Sequence, residues 1–147
     1  MRIALGADHA GFILKEYIKD RIPSLGHEVI DMGTHSVESV DYPDYALAVC
    51  TAINEKQADL GILFCGAGIG MNISANKRHG IRAATCSECY SAHICREHNN
   101  ANVLCLGERV TGVELAWEIA KSFLESTYSS EERHQRRVDK ITALEQY

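Results

Sequence analysis

Cys65 is the residue of this sequence whose position best suits it to chemistry. It follows the apolar run Leu60–Phe64 and precedes the glycine-rich segment Gly66–Gly70, which leads into a predicted helix. Because backbone N–H groups at the start of a helix attract negative charge, a cysteine at this point is suited to act as a base or a nucleophile. Taken alone, the position also suits an unreactive cysteine packed as a small hydrophobic side chain.

The glycine-rich segment offers backbone donors rather than a nucleotide-binding motif. Met71 and Ile73 stand where a dinucleotide-binding loop would need its third glycine, and no Gly-Lys-Ser/Thr follows as in a P-loop. Its free N–H groups could hold an oxyanion or a phosphate. The segment could equally be only a tight turn between a strand and a helix.

Two pairs of polar residues could move protons beside such a base. Asp8 and His9 follow the first predicted strand, where Asp8 could instead be the N-cap of the next helix. His98 and Asn99 end a helix just before the last predicted strand. Histidine titrates near neutral pH and suits proton transfer, although a histidine at a helix C-terminus is also merely favourable for the helix dipole.

Arg133 and Arg137 are the centre of the strongest basic cluster in a chain whose net charge is −5. Residues four apart share one face of a helix, and paired guanidinium groups bind phosphate well. Arg109, after the last predicted strand, could contribute to the same anion site. The alternative is a solvated helix face whose arginines pair with Glu131 and Glu132.

A run of cysteines and histidines superficially resembles a metal site; its members are Cys86, Cys89, His93, Cys95 and His98. Zinc sites usually combine a C-x2-C pair with a second pair of ligands across a loop. Here the candidates crowd into one predicted helix and the end of the strand before it. The spacing therefore disfavours zinc.

The elements that must position these residues alternate along the chain. Short apolar or β-branched runs predict strands at Arg2–Gly6, His27–Asp31, Leu60–Phe64, Ile81–Thr85 and Asn102–Leu106. Helical spacing predicts helices at Gly11–Pro23, Asp44–Lys56, Ile69–Lys77, Ser87–His98, Val113–Ser126 and Arg133–Tyr147, the last with Val138, Ile141 and Leu144 on one stripe. The alternation predicts an α/β domain over residues 1–147, with a five-stranded parallel sheet and helices on both faces. Ligands of such sheets bind beyond the carboxyl ends of the strands.

Composition narrows the class of protein. The chain has 147 residues, 46% of them hydrophobic, and no apolar run approaches the ~20 residues of a membrane span. Its acidic balance disfavours a nucleic-acid binder. The N-terminal residues lack the pattern of a signal peptide, so we expect a cytoplasmic protein whose six cysteines are reduced.

Taken together and in order, these motifs resemble the type B ribose-5-phosphate isomerases, a family that includes the galactose-6-phosphate isomerase subunits. The resembling segments cover essentially the whole chain: Gly6–Gly11, Asp41–Pro43, Cys65–Gly70, Ala75–Lys77, Gly80–Ala83, Arg96–Asn99, Asn102–Leu104, Gly107–Val110 and Arg133–Val138. No single motif is decisive, but the ordered set is highly specific.

The resemblance implies a three-layer Rossmann-like fold and reversible interconversion of D-ribose 5-phosphate and D-ribulose 5-phosphate through a cis-enediolate. It implies no cofactor and no metal. It also implies homodimers or dimers of dimers with shared active sites and a C-terminal helix used in dimerisation. Neither nucleic acid nor a membrane is expected as a partner.

The resemblance also assigns a role to each candidate residue. Cys65 would be the base that moves the proton between C1 and C2, and Asp8 and His98 would assist ring opening. The remaining residues would bind substrate. The enediolate would be held by Asn99 and by the backbone amides of Gly66, Ala67, Gly68 and Gly70. Tyr42 would line the sugar pocket. The phosphate would be bound by His9, Arg109, Arg133 and Arg137.

Ala67 departs from the family pattern, which usually has threonine or serine at this position. If that hydroxyl helps to carry the proton or stabilise the enediolate, activity should fall by up to one donor's contribution, unless Ser74 or an ordered water substitutes. Two alternatives therefore stay open. One is an isomerase of a six-carbon sugar phosphate, galactose 6-phosphate or allose 6-phosphate. The other is a sugar-phosphate-binding protein with weakened catalysis.

Overall fold

The computed structural model describes residues 1–146, which alternate strands and helices as predicted. The strands are β1 (Arg2–Ala7), β2 (Glu28–Asp31), β3 (Leu60–Cys65), β4 (Ala83–Thr85) and β5 (Val103–Gly107). The α-helices are α1 (Phe12–Lys19), α2 (Tyr42–Asn54), α3 (Ile69–Ala75), α4 (Cys89–Glu97), α5 (Val113–Glu125) and α6 (Glu132–Ala143).

The five strands form one sheet in the order β2-β1-β3-β5-β4, and every neighbouring pair is parallel. Strands β1, β3 and β5 are central. Cys65 at the end of β3 is in register with Gly107 at the end of β5. The predicted fold class is confirmed, and the loops after these three strands meet at the carboxyl edge of the sheet.

Helices cover both faces of the sheet, because alternate residues of each strand point to opposite sides. Ile3 and Leu5 of β1 join a core under α1, α4 and α5. Ala4 joins a second core under α2 and α3, and this second core includes Cys65. The catalytic candidate therefore extends from the α2/α3 side of the sheet.

Several predicted boundaries were wrong by a few residues; α2, for example, spans Tyr42–Asn54 rather than Asp44–Lys56. Helix α1 ends at Lys19, and a 3₁₀ helix follows at Ile22–Leu25, with Pro23 in its first turn, where a missing N–H is tolerated. Strand β4 begins two residues late, because the Arg82 N–H is bound by the Asn102 side chain. Helix α6 gives way to a 3₁₀ turn at Leu144–Gln146; the last residue of the predicted helix, Tyr147, lies outside the described residues.

Helix α6 attaches to the domain through a narrow contact. Among its residues only His134 and Val138 are buried. Of the predicted apolar stripe, Val138 is buried, whereas Ile141 and Leu144 are exposed. Within residues 1–146, every helix is too short or too polar to cross a lipid bilayer.

Candidate active site

The carboxyl edge of the sheet gathers the first group of predicted site residues, and backbone hydrogen bonds join the loops that carry them. The Asp8 N–H donates to the Phe64 carbonyl at 3.2 Å, which ties the loop after β1 to the end of β3. The Arg109 N–H donates to the Gly66 carbonyl at 3.0 Å, which ties the loop after β5 to the segment after Cys65. The three loops thus form one rigid rim.

Cys65 lies beneath the glycine-rich segment, with only 6% of its surface exposed. Its Sγ accepts a hydrogen bond from the Gly68 N–H at 3.1 Å. This donor places a partial positive charge at the atom where a thiolate would carry its negative charge. Gly68 has φ +77°, a left-handed conformation that glycine adopts without strain, and it is this turn that directs the N–H at sulfur.

Gly107 lets the loops after β3 and β5 approach closely. A Cβ at this position would lie 2.7 Å from the Ala67 carbonyl carbon and 2.8 Å from its Cα. Both atoms are backbone and cannot rotate away. The Gly107 position therefore fixes how the segment over Cys65 is seated.

Asp8 and Tyr42 lie at the same edge as Cys65. Asp8 is 6% exposed, and its Oδ1 accepts the Ala10 N–H at 2.9 Å within its own loop. It does not cap α1, because the Glu108 carboxylate accepts the Leu14 N–H there. Tyr42 covers the start of α3: a Cβ on Gly70 would come within 2.9 Å of the ring.

His9 and Arg109 complete this group. His9 Nδ1 accepts the Val40 N–H at 3.2 Å, which fixes its ring against the loop after β2. The Arg109 side chain lies beside Gly66, with a guanidinium nitrogen 3.5 Å from where a Gly66 Cβ would stand. Three polar groups therefore lie at the rim above Cys65: the carboxylate of Asp8, the imidazole of His9 and the guanidinium of Arg109.

The structure does not bring His98 to Cys65 within one chain. Helix α4 leads back from the carboxyl edge to the amino edge, and His98 is its C-cap, five residues before β5 begins. Strand β5 then runs the full depth of the sheet, about 16 Å at ~3.3 Å per residue, before it reaches the level of Cys65. His98 and Asn99 thus lie at the opposite edge.

The predicted arginine pair lies with His98. The imidazole rings of His98 and His134 stack with centroids 4.1 Å apart and planes 15° from parallel. The linker before α6 is tied to the end of α4 by a hydrogen bond from the Ser129 N–H to the Glu97 carbonyl at 3.0 Å. Arg133, on the same helix as Arg137, is exposed and pairs with Glu131 at 2.8 Å.

His134 is a buried residue that the sequence analysis did not place in the site. Its pKa is lowered, chiefly by burial and then by the neighbouring charges of His98 and Arg133, so the neutral ring is favoured. Its Nε2 has no hydrogen-bond partner among residues 1–146, and the Glu131 carboxylate is 4.0 Å away. The only sequence signal was its place between the two arginines.

Neither Ser74 nor Thr85 is placed to replace the hydroxyl that Ala67 lacks. Ser74 lies in the last turn of α3, which leads away from Cys65. The Thr85 hydroxyl, which the sequence analysis did not consider, reaches the glycine-rich segment but donates to the Gly68 carbonyl at 3.1 Å. Thr85 therefore supports the loop rather than supplying a donor above the sulfur.

The cysteine–histidine run around α4 has other partners in the structure. His93 binds the Glu97 carboxylate at 2.6 Å and the Ser126 hydroxyl at 2.7 Å. The thiol of Cys86 is buried beside that of Cys95, which raises the pKa of Cys86. Nowhere in residues 1–146 do three histidine, cysteine or acidic side chains converge as metal ligands would.

Comparison with known proteins gives one family. A family model described as Ribose/Galactose Isomerase matches residues 3–141. Ribose-5-phosphate isomerase B of Escherichia coli is 52% identical over 145 residues, covering 99% of this chain and 97% of that protein.

Two solved structures show the same fold at similar identity. Ribose-5-phosphate isomerase B of Clostridium thermocellum superposes with a TM-score of 0.97 at 49% identity, covering 99% of this chain and 98% of the other. The type B ribose 5-phosphate isomerase of Trypanosoma brucei gives 0.94 at 50% identity, covering 97% of each chain.

Proposed function

The chain belongs to the ribose/galactose isomerase family, and we propose that it interconverts D-ribose 5-phosphate and D-ribulose 5-phosphate with the Cys65 thiolate as base. The observation that carries the proposal is the Cys65 sulfur, held under the Gly68 N–H at the carboxyl edge of the sheet beside Asp8 and Arg109. The names of the relatives, all at high coverage, support the choice of a five-carbon substrate.

The reaction begins with the cyclic aldose. His98 and Asp8 remove the proton from the anomeric hydroxyl and protonate the ring oxygen O4, so that the C1–O4 bond breaks and an aldehyde forms. Cys65 then takes the proton from C2. The electron pair of that C–H bond forms the C1=C2 double bond, and the aldehyde π electrons move to O1.

Completion of the reaction returns a proton to carbon, either the one removed or one that the thiol has exchanged with solvent. The Cys65 thiol delivers it to C1, O2 loses its proton as the C2 carbonyl forms, and O1 gains one. The N–H groups of residues 66–70 and the Asn99 amide stabilise the negative oxygen of the enediolate, and each such donor is worth ~10²–10³ in rate. His9, Arg109, Arg133 and Arg137 hold the phosphate, and Tyr42 borders the sugar.

This mechanism requires a second copy of the chain, because its groups lie at opposite edges of the sheet. In a two-fold dimer, the carboxyl edge of each copy faces the amino edge of the other, so two complete sites form at once. Helix α3 joins the two edges and exposes Ile69 and Ile73 one turn apart on its surface, 59% and 56% accessible. Beside His98, a groove of about 630 Å³ lined by Asn99, Ile141 and Leu144 leaves room for the partner.

We also infer a cytoplasmic location. All six cysteines are unpaired. A base that works as a thiolate must stay reduced, which the cytoplasm provides and an oxidising compartment does not.

A six-carbon sugar phosphate is the second candidate, and Ala67 is the observation that favours it. Its exposed methyl group leaves space and no donor at the position where the family pattern that the sequence resembles usually has threonine or serine. Comparing kcat/KM for ribose 5-phosphate, allose 6-phosphate and galactose 6-phosphate decides between the substrates. Tight binding of all three without turnover would instead indicate the binding protein.

The role of Cys65 is tested by following ribulose 5-phosphate formation. We expect Cys65→Ala to lose at least ~10³ in kcat, since positioned acid–base groups contribute ~10²–10⁴. Cys89→Ala, which removes a half-buried thiol from α4, is the matched control and should keep its rate. An unchanged rate in Cys65→Ala would remove the assigned base.

The shared site is tested with hybrid dimers. Cys65→Ala and His98→Gln chains carrying different tags are co-expressed, and the hybrid is isolated. If each site takes Cys65 from one copy and His98 from the other, one site of the hybrid is intact and about half of the wild-type activity returns. A hybrid as inactive as both parents would place the two residues in the same chain's site.

A further inference from the structure

His134 is an unusual residue for the helix that carries it. The other side chains of α6 are largely charged and exposed, yet His134 is 5% exposed and, with Val138 one turn later, anchors the helix. A buried imidazole normally finds a hydrogen-bond partner, because an unpaired buried polar atom is costly. Its Nε2 has none within residues 1–146.

What His134 does contact is His98. The rings lie 4.1 Å apart and nearly parallel. The ring nitrogens of His98 have no hydrogen bond within the described chain, so the stack is the contact that fixes the plane of this imidazole. A ring that exchanges protons with a substrate hydroxyl needs nitrogens that are free of hydrogen bonds to the protein. Stacking fixes the orientation of such a ring through contact with its face instead.

The charges around His134 favour this arrangement. Arg133 and Arg137 face it from α6, His98 faces it from the end of α4, and the Glu131 carboxylate lies 4.0 Å from its Nε2. Two protonated imidazoles in contact would repel each other. Burial lowers the pKa of His134 and so favours its neutral form, which reduces the repulsion that a proton on His98 would meet.

We propose that His134 is a positioning residue for ring opening: its buried ring, stacked on that of His98, holds His98 in the orientation that reaches the sugar ring. The inference rests on the proposed function. It also explains why the ring-opening group and the phosphate-binding arginines lie together. His134 sits one residue after Arg133 and three before Arg137, so the same stack sets the distance from His98 to the phosphate site.

Two reactions of the wild-type enzyme separate this role from a structural one. Ribose 5-phosphate must be opened before its C2 proton can be removed. Ribulose 5-phosphate is open already, since its O5 is phosphorylated and cannot close a ring. Exchange of its C1 hydrogen with solvent deuterium therefore needs Cys65 but no ring opening.

We expect His134→Ala to lower kcat on ribose 5-phosphate by about 10- to 100-fold, the cost of a misplaced catalytic group, while deuterium exchange into ribulose 5-phosphate stays close to wild type. His134→Phe, which keeps a flat neutral ring, should restore most of the turnover. Lys140→Ala, an exposed change on the same helix, is the control and should alter neither rate. Equal losses in both reactions, or a phenylalanine variant as slow as the alanine variant, would overturn the proposal.

A measurement that needs no activity tests the stack directly. In the NMR spectrum of the free protein, the ring protons of His98 should show a ring-current shift that His134→Ala abolishes and His134→Phe keeps. A His98 signal unaffected by His134→Ala would refute the positioning role. Wild-type protein with the shift but without turnover or exchange would instead reject the proposed function and leave the stack intact.

Discussion

The two edges of the sheet hold their functional groups in different ways. At the carboxyl edge, Cys65 and Asp8 are almost fully covered, and backbone hydrogen bonds between three strand ends fix the loops around them. At the amino edge, His98 rests on a stacked ring, and Arg133 projects from a helix anchored by two side chains. In the proposed mechanism, the sulfur that reacts at carbon must be held rigidly, whereas the arginines that would bind phosphate can be carried by a more loosely attached helix.

The largest effect that separates the edges is expected from the arginine pair. Arg133→Ala/Arg137→Ala should lower kcat/KM by about 10²- to 10⁴-fold, because each hydrogen bond to a charged group contributes about 1.5–3 kcal/mol and the phosphate orients the reacting carbons. The thermal midpoint should hardly move, since the exposed Arg133–Glu131 pair contributes at most about 1 kcal/mol. Steady-state kinetics and thermal unfolding measure the two quantities.

Arg136→Ala is the control for this pair, because Arg136 is exposed on the same helix between the two arginines. Arg136→Ala should retain activity if the positions of Arg133 and Arg137 on the helix matter. It should lose activity if only the total positive charge of α6 matters. Loss of activity in Arg136→Ala would mean that α6 acts as a diffuse basic surface rather than through two specifically placed arginines.

A change at the carboxyl edge should do the reverse and reduce stability together with activity. In Gly107→Ala the new methyl group would meet the Ala67 backbone at 2.7 Å, and overpacking against atoms that cannot rotate costs about 3 kcal/mol. Gly112→Ala is matched, because nothing lies within 4 Å of its Cβ position. Urea unfolding of the two variants gives the comparison; equal stabilities would show that the rim is as adaptable as α6.

The carboxyl edge could be predicted from the sequence, and the amino edge could not. Alternation of elements fixes which residues follow the parallel strands, so Asp8, Cys65 and Arg109 were expected at one edge. The strand order that makes β1, β3 and β5 neighbours was not predicted and is given by the structure. The position of α6 depends on a few contacts of a polar helix. The sequence places Val138, Ile141 and Leu144 on one stripe but does not say what covers it; the structure buries His134 against His98 and leaves Ile141 and Leu144 exposed. A stripe that a partner covers looks in sequence like one that the chain itself covers.

The reactivity of the thiols provides a further test of the carboxyl edge. Cys65 and Cys50 belong to the same core under α2 and α3, but only Cys65 reaches the rim. Burial raises the pKa of Cys50 to about 11, so its thiolate is scarce at neutral pH. We expect iodoacetamide to modify Cys65 and not Cys50 in the folded protein, with ribulose 5-phosphate protecting Cys65. Mass spectrometry of tryptic peptides identifies the labelled residue, and labelling of Cys50 at the same rate would mean that the core opens as readily as the site.

The smallest effect concerns pH at the amino edge. The pKa of His134 is lower in the folded chain than its ordinary value of about 6.5, so below that pH the unfolded form binds a proton that the folded form resists. Stability therefore declines as pH falls from about 6.5, and the decline should be local to α6, because His134 anchors that helix. Carboxylates whose pKa is lowered, such as Asp31 and Asp59, lose their contribution to stability only at more acidic pH and lie elsewhere.

Amide hydrogen exchange of peptides from α6, corrected for intrinsic rates, measures this local opening. It should be faster at pH 5.5 than at pH 7.5 in the wild type, with a smaller difference in His134→Phe, whose ring cannot take up a proton. The same pH dependence in both proteins would mean that another group loosens the helix.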